Sequence, residues 1–128
     1  MTLVVDASAV AAMLFEEAAG ATIRAHIRGE RLTAPHLLDF ELANICWKRA
    51  RRTPSEHAAS LAMLAGLAHV KIDRVRVPPT DVADLALRTG LTAYDASYLW
   101  LALSRDLELV TLDDQLARVN QALRERFV

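Results

Sequence analysis

Short, wholly apolar runs alternate along this chain with longer amphipathic stretches, and that alternation restricts the architecture more than any other property of the sequence. A run such as Leu3-Val4-Val5 is too short for a helix and lacks the polar alternation of a strand with one wet face, so it belongs inside a covered sheet. Similar segments follow at Arg31–Thr33, Val70–Ile72 and Glu108–Val110, with Val75–Val77 either extending the third or forming a separate edge. Helices are predicted between them: Ser8–Phe15, then about residues 18–28 with Gly29 as a stop. Pro35 opens a long helix that carries Leu37, Leu38, Glu41, Leu42, Ile45 and Arg49 at helical spacing. Thr53-Pro54-Ser55-Glu56 starts another, which runs to about Leu64 or Leu67. Thr80 caps a helix that Gly90 ends; Ala93–Arg105 follows, and Asp113 to about Arg124 is the last. Strands separated by helices predict an α/β three-layer sandwich, with a central, mostly parallel sheet of four to five strands. Arg126-Phe127-Val128 leaves almost no length for a final strand.

With 128 residues, 53% of them hydrophobic, the chain suits one domain over residues 1–128 with a substantial core. Its apolar runs are too short to span a bilayer and it starts directly with a strand, without the pattern of a secretory signal, so a cytoplasmic protein is expected. The single Cys46, on a helix flank, reads as a small buried hydrophobe. Phe15, Trp47 and Trp100 are expected in the core. The 15 Lys and Arg nearly balance the 16 Asp and Glu, so any affinity for nucleic acid has to come from local clusters. Lys48, Arg49, Arg51 and Arg52 form the densest one. A helix C-terminus accounts for some of that charge, and phosphate contact for the excess.

Four acidic segments carry the chemistry: Val5-Asp6-Ala7-Ser8, Phe40-Glu41-Leu42-Ala43-Asn44, Thr92-Ala93-Tyr94-Asp95 and Val110-Thr111-Leu112-Asp113-Asp114. Asp6 follows a strand directly and Asp113 comes soon after one, at the sheet edge where open α/β proteins bind ligands. Taken singly, Asp6, Ser8, Asp113, or the pairs Thr92 with Asp95 and Thr111 with Asp114, can serve as helix caps. Glu41 resists that reading. It lies within an apolar helical stripe, where a carboxylate without a partner is costly. Four converging acids repel one another unless a cation lies between them, and a divalent metal is the simplest candidate.

In order and spacing, Val5-Asp6-Ala7-Ser8-Ala9, Glu41-Leu42-Ala43-Asn44, Tyr94-Asp95-Ala96-Ser97-Tyr98-Leu99 and Leu109-Val110-Thr111-Leu112-Asp113 resemble the motifs of PIN-domain ribonucleases. They look most like the VapC toxins of toxin–antitoxin pairs. The resemblance implies an endoribonuclease dependent on Mg²⁺ or Mn²⁺, with Asp6, Glu41, Asp95 and Asp113 as metal-binding acids. Ser8 and Thr111 take the places of polar hydroxyls near the site, and Asn44 that of a group orienting Glu41; Asp114 is a neighbour without a fixed family role, for which a cap of the last helix is expected over a link to the acids through water. A homodimer and a VapB-like antitoxin are implied as well.

The chemistry of the residues agrees with hard-cation catalysis. His26, His36, His57 and His69 form no pair at zinc-ligand spacing, and no histidine is placed to activate Ser8 as a nucleophile. RNA is expected to cross the acidic pocket with help from the basic cluster, and Arg24, Arg28 and Arg31 form a second possible contribution. With 5% aromatic residues, little is available for extensive base stacking. Two other readings stay open: a signalling receiver domain that binds Mg²⁺ beside a phosphoacceptor Asp, against which stands the missing lysine near the last strand, and a catalytically silent PIN-like interaction module.

Overall fold

The computed structural model describes residues 1–126. In chain order its elements are β1 (Thr2–Val5), α1 (Ala7–Leu14), α2 (Gly20–Ile27), β2 (Arg31–Pro35), α3 (Leu38–Arg52), α4 (His57–Ala65), β3 (Ile72–Val75), α5 (Pro79–Thr89), α6 (Ala93–Arg105), β4 (Glu108–Val110) and α7 (Asp114–Glu125). The strands form one parallel sheet in the order β3-β2-β1-β4, which meets the predicted sandwich at its four-strand limit. The Arg126-Phe127-Val128 segment, where a final strand would fall, ends in residues outside those described.

The connections β1 to β2 and β2 to β3 move outward in the same direction, and the path from β3 to β4 recrosses the sheet. Right-handed crossovers therefore put α1 to α4 on one face and α5 with α6 on the other. The packing agrees, since α1 contacts α2 and α3, while α6 lies against β1, β2 and β4. The reversal makes the gap between β1 and β4 a topological switch point, the usual ligand crevice of an open α/β sheet.

Val4 and Val5 at the middle of the sheet are wholly buried, as are Leu38 and Leu42 of α3 and Leu99 and Leu101 of α6. Cys46 is buried as expected, and so is Phe15. Trp100 is partly buried against the core, whereas Trp47, also expected inside, is 53% exposed on α3. Trp47 falls on the face that α3 turns away from the sheet.

Two predicted boundaries shift for backbone reasons. Pro35 ends β2 instead of opening α3; it pairs with Val75, and the His36 amide donates to the Val75 carbonyl at 3.2 Å. The pairing of β2 with β1 stops at Thr33, so proline's missing amide falls beyond that ladder. Likewise α5 starts at Pro79, which needs no amide in the first turn, so Pro78 rather than Thr80 holds the cap position. Gly90 ends α5 with φ +77°, as its lack of a side chain allows. Among the described residues, no helix is long and apolar enough to cross a membrane.

The close approach of α1 and α2 depends on Gly20, where an added Cβ would stand 2.4 Å from the Ala12 carbonyl oxygen. Gly20→Ala is expected to cost about 1–3 kcal/mol by overpacking, read as a lower urea midpoint at unchanged slope. Gly66→Ala, whose new carbon meets only a Leu14 methyl at 3.7 Å, is the matched control and leaves the midpoint nearly unchanged.

Candidate active site

Asp6 caps α1 from the end of β1, and it is only 4% exposed. Its Oδ1 accepts hydrogen bonds from the Ala9 amide (3.0 Å) and the Ser8 hydroxyl (2.7 Å), and its Oδ2 accepts a short one from the Thr111 hydroxyl. Thr111 follows β4, beside β1 in the sheet, so that contact closes the switch point. The same hydroxyl accepts from the Asp113 amide at 3.0 Å, and the Ser8 hydroxyl accepts from the Leu112 amide at 2.9 Å. Two hydroxyls thus tie the first strand's end to the last helix's start.

Asp113 itself is the cap of α7, accepting from the Leu116 amide at 2.9 Å through Oδ1. Asp114, expected to do that work, is instead the first residue of the helix and is exposed. The reason is local: Thr111 turns the backbone through the Asp113 amide, which leaves Asp113 in the extended conformation a cap requires. On α6, Thr92 caps through the Asp95 amide at 3.1 Å, so only half of a capping box forms. Among the described residues, the Asp95 carboxylate has no hydrogen bond of its own.

Glu41, in the first half of α3, accepts a 2.6 Å hydrogen bond on Oε1 from the hydroxyl of Tyr98, one turn after Asp95 on α6. Tyr98 is buried, and its partnership with Glu41 is not apparent from the sequence, where it reads as part of an apolar helical face. Its spacing of three residues from Asp95 was the available signal. Asn44, expected to orient Glu41, is exposed and lines a surface cavity with it, while the hydrogen bond comes from Tyr98.

The four acids share one electrostatic field. Burial pushes the Asp6 carboxyl above its ordinary value of 3.8, against the pull of Thr111, Ala9 and Ser8 and with the help of the Asp113 charge. Burial also raises Glu41, opposed by the Tyr98 hydrogen bond and reinforced by Asp95 and Asp6. Asp95 rises through burial and then through the charges of Asp113 and Asp6. Tyr98 is driven well above the usual phenol range by burial and by Glu41, so it stays a donor.

No salt bridge among the described residues involves any of the four; the acids that find cations are Glu30, Asp39, Asp84 and Asp106, and Glu108 pairs with His26. Among the described residues, no three His, Cys, Asp or Glu side chains stand close enough to close a metal cage unaided. The donor set of the four acids is entirely oxygen, the type that hard divalent cations take.

The basic residues divide. Lys48, Arg51 and Arg52 line an exposed pocket with Trp47, over which Arg51 stacks at 5.0 Å. Arg49 turns inward, its guanidinium 4.9 Å from the centre of the Phe15 ring, which removes it from the exposed cluster. Arg24 donates to the Met13 carbonyl at 3.1 Å, and Arg31 begins β2 at the sheet edge opposite the acids.

The PIN domain family model matches residues 3–122. Ribonuclease VapC3 of Pyrobaculum aerophilum is 38% identical over 128 residues, covering 96% of this chain and 98% of its own length. Ribonuclease VapC9 of Mycobacterium tuberculosis is 35% identical over 120 residues, 94% of this chain and 92% of its own. Exonuclease VapC9 of Pyrobaculum aerophilum is 40% identical over 89 residues, 68% of this chain and 65% of its own. The crystal structure of PAE2754 from Pyrobaculum aerophilum matches with a TM-score of 0.75 and 31% identity, covering 98% of this chain and 94% of that one. These relationships remove the signalling-receiver alternative. With the family model matching nearly the whole chain and VapC ribonucleases 35–38% identical over most of it, the chain belongs to the PIN-domain family, within its VapC branch.

Proposed function

We propose that this chain is a metal-dependent endoribonuclease that hydrolyses RNA phosphodiester bonds as the toxin of a VapBC-like pair. The observation that carries the reading is the set of carboxylates Asp6, Glu41, Asp95 and Asp113, which come from four elements, raise or feel one another's charge, and have no cationic partner among the described residues. Burial of such a group is costly without a counter-charge. The four acids would hold Mg²⁺ or Mn²⁺, and free oxygens remain for it on Glu41, Asp95 and Asp113. A bound ion of this kind activates water and stabilises the leaving oxygen.

The residues around the acids act by orientation. Thr111 and Ser8 fix both oxygens of Asp6, and Thr111 also holds the Asp113 backbone. Tyr98 engages one oxygen of Glu41 and leaves the other free. Lys48, Arg51 and Arg52 would draw the RNA backbone along α3, roughly 10–16 Å from Glu41 at the helical rise. A VapB-like antitoxin is the partner that the family relationship implies. We extend the reading to a homodimer and, because the substrate is cellular RNA, to the cytoplasm.

Asp6→Asn, Glu41→Gln and Asp95→Asn are each expected to lower Mg²⁺- or Mn²⁺-dependent RNA cleavage by roughly a hundredfold or more while the fold persists. Wild-type activity in any of them, with contaminating nuclease excluded, would remove the assignment, and a wild-type chain that binds neither metal supports the silent module. Cleavage of a circular RNA, which has no ends, separates endonuclease action from that of the relative named an exonuclease. Tyr98→Phe keeps the ring and loses the hydroxyl; a weakening of about 10–100-fold in metal affinity or activity is expected for loss of such an outer partner, measured by calorimetry with Mn²⁺.

The raised carboxyls also set the pH dependence. Asp6, Glu41 and Asp95 bind protons more readily folded than unfolded, from ordinary values of 3.8, 4.5 and 3.8 upward. Folding is therefore favoured by these groups at low pH, and that advantage is lost as pH rises through their folded values. Metal-free protein is expected to melt lower at pH 7 than at pH 5. Mg²⁺ should raise the melting temperature more at pH 7, and Asp6→Asn should flatten the profile; thermal denaturation at both pH values measures each effect.

A further inference from the structure

Aromatic residues immediately precede two of the acids. Phe40 stands before Glu41 in the first turn of α3, and Tyr94 before Asp95 in the first turn of α6. Their exposures, 79% and 65%, are high for rings with a full core available. They are not separate surface accidents. Both line one cavity of about 400 Å³, whose other walls are Leu37, the Glu41 side chain and Asn44.

That cavity is lined by one aliphatic and two aromatic residues together with Asn44 and with Glu41, one of the four acids. Any ligand seated in it lies beside Glu41. No Lys or Arg is among its lining residues, so the cleft itself offers a phosphate no side-chain cation. A flat, uncharged ring with hydrogen-bonding edges satisfies all of the walls: its faces stack on Phe40 or Tyr94, and its edge meets the Asn44 amide.

We propose that the cleft bounded by Phe40, Tyr94 and Asn44 is a nucleobase subsite, which holds one unpaired base next to the scissile phosphate. This rests on the ribonuclease reading above. A base can reach the cleft only when it is out of a duplex stack, so paired RNA is excluded by geometry. The low aromatic content of the chain is no obstacle, because a single stacked base needs only the two rings the fold brings together.

The test uses the full chain with Mg²⁺ or Mn²⁺ and a short single-stranded RNA. Phe40→Ala and Tyr94→Ala are each expected to lower kcat/KM by about 5- to 100-fold, the range of one base stacked on an aromatic side chain, chiefly through KM. Phe40→Trp and Tyr94→Phe should restore it. Leu87→Ala, which trims another highly exposed apolar side chain on α5, should leave KM unchanged. Replacing RNA bases one at a time by abasic sites should weaken cleavage by the wild type at one or two positions beside the cut, with no further loss in Phe40→Ala.

Equal cleavage of single-stranded and duplex RNA would overturn the proposal, as would unchanged KM in both alanine variants while the wild type remains active. Absence of cleavage by the wild type on any RNA would overturn both this proposal and the nuclease reading. If Phe40→Ala instead turns a dimer into a monomer by light scattering and abasic sites have no effect, the rings belong to a contact between copies, and the subsite is wrong.

Discussion

A buried carboxylate at the end of the central strand organises this molecule. Asp6 is nearly inaccessible, and the groups that hydrogen-bond to it are all neutral: the Ser8 hydroxyl, the Ala9 amide and the Thr111 hydroxyl. Those bonds start α1, join β1 to the segment after β4 and aim the acid at the switch point. They lessen the desolvation of the charge without abolishing it, which is why the Asp6 carboxyl still lies above its ordinary value. Stability is surrendered at the place where the chemistry is needed. The apolar centre of the sheet, with Val4 and Val5 wholly buried, holds the arrangement in spite of that.

The other acids follow the same plan with looser supports. Glu41 has one donor, Tyr98; Asp113 has one, the Leu116 amide; Asp95 has none among the described residues. Support therefore declines from the centre of the sheet toward solvent, and the free oxygens lie on the outer acids. Those free oxygens would be the ones available to a hydrated divalent ion, which takes one or two carboxylates and keeps several waters. Thr111 and Tyr98 are neutral donors, so they orient carboxylates without cancelling the negative field that attracts the ion.

Much of this was legible in the sequence because local patterns carried it. The apolar runs at Leu3–Val5 and Glu108–Val110 are strands as read, and Glu41 lies on α3 facing its partners as the apolar stripe around it required. Where the reading slipped, two local signals competed. Pro35 resembles a helix start and an edge-of-strand stop equally well, and Asp113-Asp114 offers two caps for one helix, which only the Thr111 turn decides. Arg49 leaves the basic cluster and turns inward over Phe15, in keeping with its helical spacing from Leu38, Leu42 and Ile45, while the Trp47 indole turns outward although its apolar character suggested the core.

By itself the sequence determined the α/β alternation, the four acids and their family, because strand and helix periods and short acidic motifs are properties of contiguous residues. Only the tertiary structure decided that Tyr98 holds Glu41, that Thr111 joins Asp6 to Asp113, and that Phe40 and Tyr94 share one cleft. Each of those relations links segments far apart in the chain. Their meeting depends on the parallel strand order and the crossing back from β3 to β4, which no local pattern of residues encodes.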